Sequence, residues 1–482
     1  MWSTITELFS FSPGNPLLFH TGFFFFFLCI FLIGYSFVAD NPKARNMYIM
    51  LLSFYFYYKT SGWFLGLLVF TISSDYFFSR VIERTKEEVT RKTALVTGIL
   101  LSLSFLLYFK YVNFFITNVN ALTGSEYLVR NVILPIGISF YTFQSISYLV
   151  DVYKKKITVP RFRDYLMYMS FFPHLVAGPI VRASDFLPQV KKGVTITPET
   201  RNEAFYLIIK GLIKKAIISD YIAQYADSIF SQPDAFSGTE NTFATLCYTF
   251  QIFFDFSGYT DIAIGVALLL GFRLGINFRS PYKSLNITDF WRRWHISLSQ
   301  WLRDYIYIPM GGNAKGFRIQ LLLLVTTMLI GGFWHGADWK FVFWGLGHGL
   351  LLVFHKLFVK YFPGEMRFFK PIGWLLTFSC VALLWVPFRA TSMADTLTVY
   401  KSMFTSFDFG MLRLIAENNP LLIVLFILGA WLTLMPEQFK EILRNIFFSS
   451  KFVFKMAMLI VVIQLMIQMR VQDVHPFIYF EF

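Results

Sequence analysis

Of the seven histidines in this chain, His335 has the most unusual setting, in GGFWHG directly after the oily run IQLLLLVTTMLI. An imidazole titrates near neutral pH and can take a proton from a hydroxyl, which makes it a natural general base. Charged side chains inside a bilayer cost about 2.5–3.5 kcal/mol, and ionisable groups kept there are partnered or functional. Two readings fit His335: a general base in a water-poor passage with Trp334 as an apolar wall, or an imidazole that hydrogen-bonds a broken helix end. The run Ile319 to Phe333 is 15 residues, roughly 22 Å of helix against about 30 Å of hydrocarbon, so the sequence predicts a short span that leaves His335 within the membrane.

His295 lies in FWRRWHISLSQWLRDYIYIPMGGN, a basic, aromatic segment too polar to span. Asn286 followed by Asp289 resembles a capping box, predicting a helix from there to about Tyr305. At 100° per residue His295 would share a stripe with Trp291, Leu298 and Leu302, flanked by Arg292 and Arg303, with Arg293, Gln300 and Asp304 opposite. That pattern describes an amphipathic helix at the cytoplasmic interface, with packing as the bland role for His295. His348 and His355, seven apart, share a helix face and suit interhelical hydrogen bonds; no further ligands for a metal can be named, and none is expected. His174 reads as structural, and His20 and His475 carry no argument.

Asp255 and Asp261, in TFQIFFDFSGYTDIAIGVALLLG, would be costly towards lipid and should face inward, with Tyr259 a possible neighbour of Asp255. Holding helices together is their simpler role, a proton relay the sharper one. Ser139, Thr142, Gln144 and Ser147 read as interhelical contacts or a tunnel lining. Cys29, Cys247 and Cys380 sit in apolar runs with no metal-ligand spacing and are expected to pack in the core.

These residues must be positioned by membrane helices. The 482-residue chain is 56% hydrophobic and 15% charged, the balance of an integral membrane protein, and its mean hydropathy is +0.54. Apolar stretches at 17–38, 94–116, 128–150, 243–270 and 371–388 approach a full crossing, and some 11 to 13 embedded helices are expected. The net charge of +14 falls in short loops and reports topology, not nucleic-acid binding. Basic clusters at Lys43 and Arg45, at Arg80, Arg84, Lys86, Arg91 and Lys92, and from Lys154 to Arg163 belong on the cytoplasmic side, leaving both termini outside. The first apolar stretch reads as a retained helix, since it lacks a basic lead and a small-residue cleavage site.

FFPHLVAGPIVR (171–182) suits a broken or re-entrant helix buried in protein, and 183–203 a cytoplasmic loop. The longest predicted external loop is 389–419, a surface on which an extracellular partner could dock. Without internal repeats or a linker, 1–482 reads as one membrane domain, with N-terminal spans over 1–130 and a core over 131–482. No Walker loop, dinucleotide fingerprint or G-x-S-x-G elbow occurs, which removes ATP-driven and serine-hydrolase chemistry.

Taken together and in order, LPIGISFYTFQSISYLVDVYKKK, FFPHLVAGPIVR, FDFSGYTDIAIGVALLLGFRLGINFRSPY, the block around His295, GGFWHG and the terminal FIYF resemble the membrane-bound O-acyltransferase (MBOAT) family. The likeness is strongest to its alginate O-acetyltransferase branch, with teichoic-acid D-alanyl transferases as relatives, and runs from about residue 130 to the end. It implies an all-α polytopic bundle around a transmembrane funnel or tunnel, in which an acyl group passes from a cytoplasmic thioester to a hydroxyl across the membrane. The family's near-invariant histidine falls on His335 and its second motif residue on His295, with Trp334 and Trp294 beside them. Arg292, Arg293 and Arg303 could take the phosphates of a donor such as acetyl-CoA. No bound cofactor is implied. A periplasmic or membrane-anchored polysaccharide O-acetyltransferase is the expected partner, in the cell (inner) membrane. D-alanyl transfer to an envelope polymer is the rival within the family, and a polysaccharide or lipid transporter the rival outside it.

Overall fold

The computed structural model describes residues 10–12, 16–19, 21–176, 178–192, 196–362 and 370–469. Regular structure among them is helical throughout. Seven stretches are long and apolar enough to cross a membrane: Pro42–Arg84, Glu88–Thr123, Gly238–Leu269, Phe317–His335, Trp339–Tyr361, Lys370–Arg389 and Phe452–Met469. Phe409–Asn418 and Pro420–Leu434 add an eighth if their 105° bend is one broken span, and Gly22–Val38 is a shorter apolar helix. The chain is thus an all-α, multi-pass membrane protein. His20, His475, the terminal FIYF and both chain ends lie outside the described residues.

The chain divides into two compact units. The first comprises residues 1–204 and 263–275. Its helix starts are written locally: Asn41 accepts from the Lys43 and Ala44 amides at 3.0 and 3.3 Å, with Pro42 in the first turn, where its missing N–H costs nothing. The same helix ends at Gly62, whose φ of 62° suits a residue without a β-carbon. Arg45, expected in a cytoplasmic loop, is buried, stacked over Phe272 and bonded to Asn46 and the Lys192 carbonyl. The helix Ile138–Tyr153 carries Thr142, Gln144 and Ser147, all buried, while Ser139 is half-buried. The 171–182 segment is broken as expected, with a single turn at Phe172–Leu175, and His174 there bonds the Tyr168 carbonyl at 2.9 Å. The 183–203 segment holds the helix Ala183–Lys191 where a loop was expected.

The second unit comprises residues 205–262 and 276–482. Here the helix Gly238–Leu269 runs against the π-helical stretch Ile213–Ser219, and a β-carbon on Gly211 would lie 2.6 Å from the Gly258 carbonyl. That close approach lets Lys215 reach Asp255 at 2.5 Å, and Lys214 reach Asp261 at 2.7 Å. Both acids therefore face inward and tie helices together. The 389–419 segment is mostly helical, Met393–Thr405 followed by Phe409–Asn418, in place of the expected loop. The cysteines are free, but only Cys247 is in the core; Cys29 is exposed and Cys380 intermediate, since an apolar run in a membrane protein can face lipid as readily as protein.

Candidate active site

Two helices carry His335 and its neighbours. Phe317–His335 has 19 residues, roughly 28 Å, so the expected short span is corrected: the helix extends two residues further at each end and nearly matches a membrane. His335 is its last residue. After three residues the next helix starts at Trp339, capped by Asp338, which accepts from the Lys340 amide at 3.0 Å. The two helices pack backbone against backbone. A β-carbon on Gly332 would overlap the Phe341 carbonyl, and one on Gly345 the Met328 carbonyl. Small residues at such crossings let membrane helices approach closely.

The hairpin brings rings around His335. Trp334 lies at 5.0 Å between centroids, Trp344 at 5.0 Å and Phe388 at 5.2 Å, all three set edge-on. Only 3% of His335 is exposed.

His295 is placed differently from the sequence expectation. Asn286 does cap a helix, accepting from the Asp289 amide at 2.8 Å, but that helix ends at Arg293 and another runs over Ile296–Leu302. His295 sits at the break with φ 40° and ψ 57°, a left-handed conformation that costs a residue with a β-carbon ~1–2 kcal/mol. The continuous helical stripe is therefore corrected. No glycine or proline marks this break, so residue-by-residue periodicity ran straight across it. The passing segment around Asn277 holds the break: the Ile296 amide donates to the Asn277 carbonyl at 2.9 Å and the Arg279 amide to the Arg293 carbonyl at 2.9 Å.

Asn277 Oδ1 also accepts from the Ser297 amide at 3.2 Å, the Ser297 hydroxyl at 2.9 Å and His295 Nδ1 at 3.2 Å. A backbone N–H can only donate, so the acceptor is the carboxamide oxygen and His295 carries its proton on Nδ1. Nε2 then bears the lone pair. The ring is fully buried, edge-on to Phe256 at 4.7 Å, and burial holds its pKa down at about 3.

One indole joins the two imidazoles: Trp334 is 6.4 Å from His295 and 5.0 Å from His335. Trp294 stacks on Phe290 and lies 5.0 Å from Trp385. Of the arginines, Arg293 pairs with Asp289 at 2.9 Å and Arg303 with Asp304 at 2.7 Å, while Arg292 is exposed. His295 and His335 are 0 and 3% exposed, so both imidazoles belong to the protein interior.

Residues 88–394 match the model of the membrane-bound O-acyltransferase family. The chain belongs to that family. It is accordingly an acyltransferase, and the family region holds both histidines. It is 40% identical over 420 residues to a peptidoglycan O-acetyltransferase of Helicobacter pylori, covering 80% of each chain. To a probable alginate O-acetylase AlgI of Pseudomonas putida it is 38% identical, over 88% of this chain and 87% of that one. A teichoic acid D-alanyltransferase of Bacillus subtilis is 30% identical over 48% of this chain and 61% of its own. The family match begins well before residue 130, within the N-terminal spans.

Sequence reading passed over Asn277, Phe256 and Phe388, which set the two imidazoles. Asn277 lies inside the GINFRSPY part of a quoted motif, where a polar side chain between apolar and basic residues was the available signal.

Proposed function

We propose that this acyltransferase passes an acetyl group from a cytoplasmic thioester such as acetyl-CoA across the membrane towards a cell-envelope glycan, by way of a separate periplasmic or membrane-anchored O-acetyltransferase. The observation that carries the reading is the pair of buried imidazoles joined by Trp334, in a chain whose O-acetylating relatives align over 80–88% of its length. The D-alanyl relative covers only 48%, so acetyl is the preferred group. The distribution of basic loops supports an inner-membrane protein with both termini outside.

In this reading His335 takes the proton of the acceptor hydroxyl as its oxygen bonds to the thioester carbon. The carbon–sulfur bond then breaks, and the departing thiolate takes that proton back. His295, fixed with its lone pair on Nε2, positions the donor end of the site through Trp334. The exposed Arg292 receives a donor phosphate, whereas Arg293 and Arg303 already face carboxylates.

The test is His335→Ala with membrane insertion checked separately. Transfer of labelled acetyl from acetyl-CoA to the envelope polymer should fall by ~100- to 10,000-fold, the usual contribution of a positioned base. Transfer at the normal rate would remove His335 from the chemistry, and a purified protein that leaves acyl thioesters intact would return a transporter to consideration.

A further inference from the structure

Beside His335 lies a second set of polar atoms that the mechanism above does not use. Trp291, Trp344 and His348 form a triangle of touching rings: centroids are 5.8 Å apart for Trp291–Trp344, 5.1 Å for Trp291–His348 and 4.6 Å for Trp344–His348. Trp344 also stands edge-on to His335 at 5.0 Å. All three side chains are buried, and Trp291 Nε1, Trp344 Nε1 and both ring nitrogens of His348 make no hydrogen bond to the protein.

Indole N–H only donates, and an imidazole presents at least one N–H, so the triangle offers three donors. Each buried donor without an acceptor costs about 1–3 kcal/mol, and three on touching rings make a cost that a bound acceptor would offset. The surroundings say what fits. Phe290 stacks on His348 at 6.1 Å and Trp385 lies 6.3 Å away, so aromatic rings wall the triangle. A permanent anion would call for a cation and a cation for a carboxylate. Neutral donors among aromatic walls suit a carbonyl oxygen, which turns negative only while the reaction passes through its tetrahedral stage.

The triangle is also held in place. His355, two turns along the helix from His348, bonds Thr288 at 2.8 Å and so ties the helix Ile287–Arg293, with Trp291, to the helix Trp339–Tyr361, with Trp344 and His348. Trp385, in contrast, already donates to the Tyr282 hydroxyl at 3.1 Å.

We propose that Trp291, Trp344 and His348 are the donors that hold the acyl carbonyl oxygen during transfer. This rests on the acyl-transfer reading above. The acceptor oxygen adds to the carbonyl carbon while its proton passes to His335; the carbonyl π pair moves onto the oxygen facing the triangle. When that pair returns, the carbon–sulfur bond breaks and the thiolate recovers the proton, so that hydroxyl and thioester become ester and thiol.

The probe is the ketone analogue of acetyl-CoA, in which a methylene separates sulfur from the carbonyl, carrying a 13C-labelled carbonyl for isotope-edited infrared spectroscopy on the purified full-length protein. Bound to the unmodified protein, its carbonyl band should sit below the aqueous frequency, and Trp344→Phe and Trp291→Phe should each move it back up. Trp385→Phe, which removes an indole N–H from the same cage that is already partnered, should leave the band where it was. In acetyl transfer the two informative variants should lose ~10- to 100-fold in kcat with little change in KM, as for an interaction made in the transition state alone. An unshifted band in the unmodified protein, or no response to both substitutions, overturns the assignment while acyl transfer stands. A protein that neither binds the analogue nor consumes acetyl-CoA overturns the acetyl-CoA reading and this inference with it.

Discussion

The carboxamide oxygen of Asn277 accepts from the His295 ring at 3.2 Å and from both the amide and the hydroxyl of Ser297, so one side chain sets a tautomer and closes a helix break together. Asn277→Leu removes the acceptor that these three donors share. Thermal unfolding in detergent should show a loss of about 2 kcal/mol or more. Acetyl transfer should fall with it, because His295 is no longer held with Nε2 unprotonated. Asn277→Asp keeps the acceptor and should recover most of the stability.

The pH dependence follows from His295. Burial holds its folded pKa near 3, against about 6.5 in the unfolded chain. Between those values the unfolded state binds a proton that the folded state does not, so acid favours unfolding. The contribution of the neutral ring is complete above about pH 6.5 and is lost progressively towards pH 3, with a slope of at most ~1.4 kcal/mol per pH unit. Unfolding midpoints across that range should drop for the native chain and drop less steeply for His295→Gln. Equal slopes would mean that the ring does not stay neutral in the fold.

Lys215 and Asp255 form a buried pair at 2.5 Å. Lys215→Met strands the carboxylate and should cost about 3–5 kcal/mol. Adding Asp255→Asn should restore part of it, since the more deeply buried of the two carboxylates that Lys215 holds is neutralised, while Asp220, which it also pairs with at 2.7 Å, is half-buried. If the double variant folds well and still transfers acetyl, the pair is a fastener and not a proton relay; if it folds well and is inactive, the relay returns.

The crossing at Gly332 and Gly345 admits no β-carbon. Gly345→Ala should lower stability by about 1–3 kcal/mol by forcing the hairpin apart. Because that hairpin carries His335, Trp344 and His348, transfer should decline more than the unfolded fraction accounts for. Parallel losses in both would show that the hairpin serves folding alone.

What could be read from residue order and what could not separate along physical lines. Asn286 announced its helix because a cap is a contact between near neighbours, and His355 announced an interhelical bond because its helix face was plain. His335 stood out as an imidazole against lipid. The left-handed break at His295 stayed hidden, since its cause is Asn277, 18 residues upstream, and no glycine or proline betrays it. The span ending at His335 looked short because tryptophan and histidine lower apparent apolarity while continuing the helix. The lysine partners of Asp255 and Asp261 lie some 40 residues away, on a π-helical turn that periodicity does not foresee.

Position 295 would accommodate glycine with the least torsional discomfort, yet the chain keeps an imidazole there and clamps it from three sides. Strain of this kind works as a signature legible in a single molecule. A ring held at an angle that glycine adopts most easily carries a torsional cost, and the segment at Asn277 supplies the hydrogen bonds that offset it.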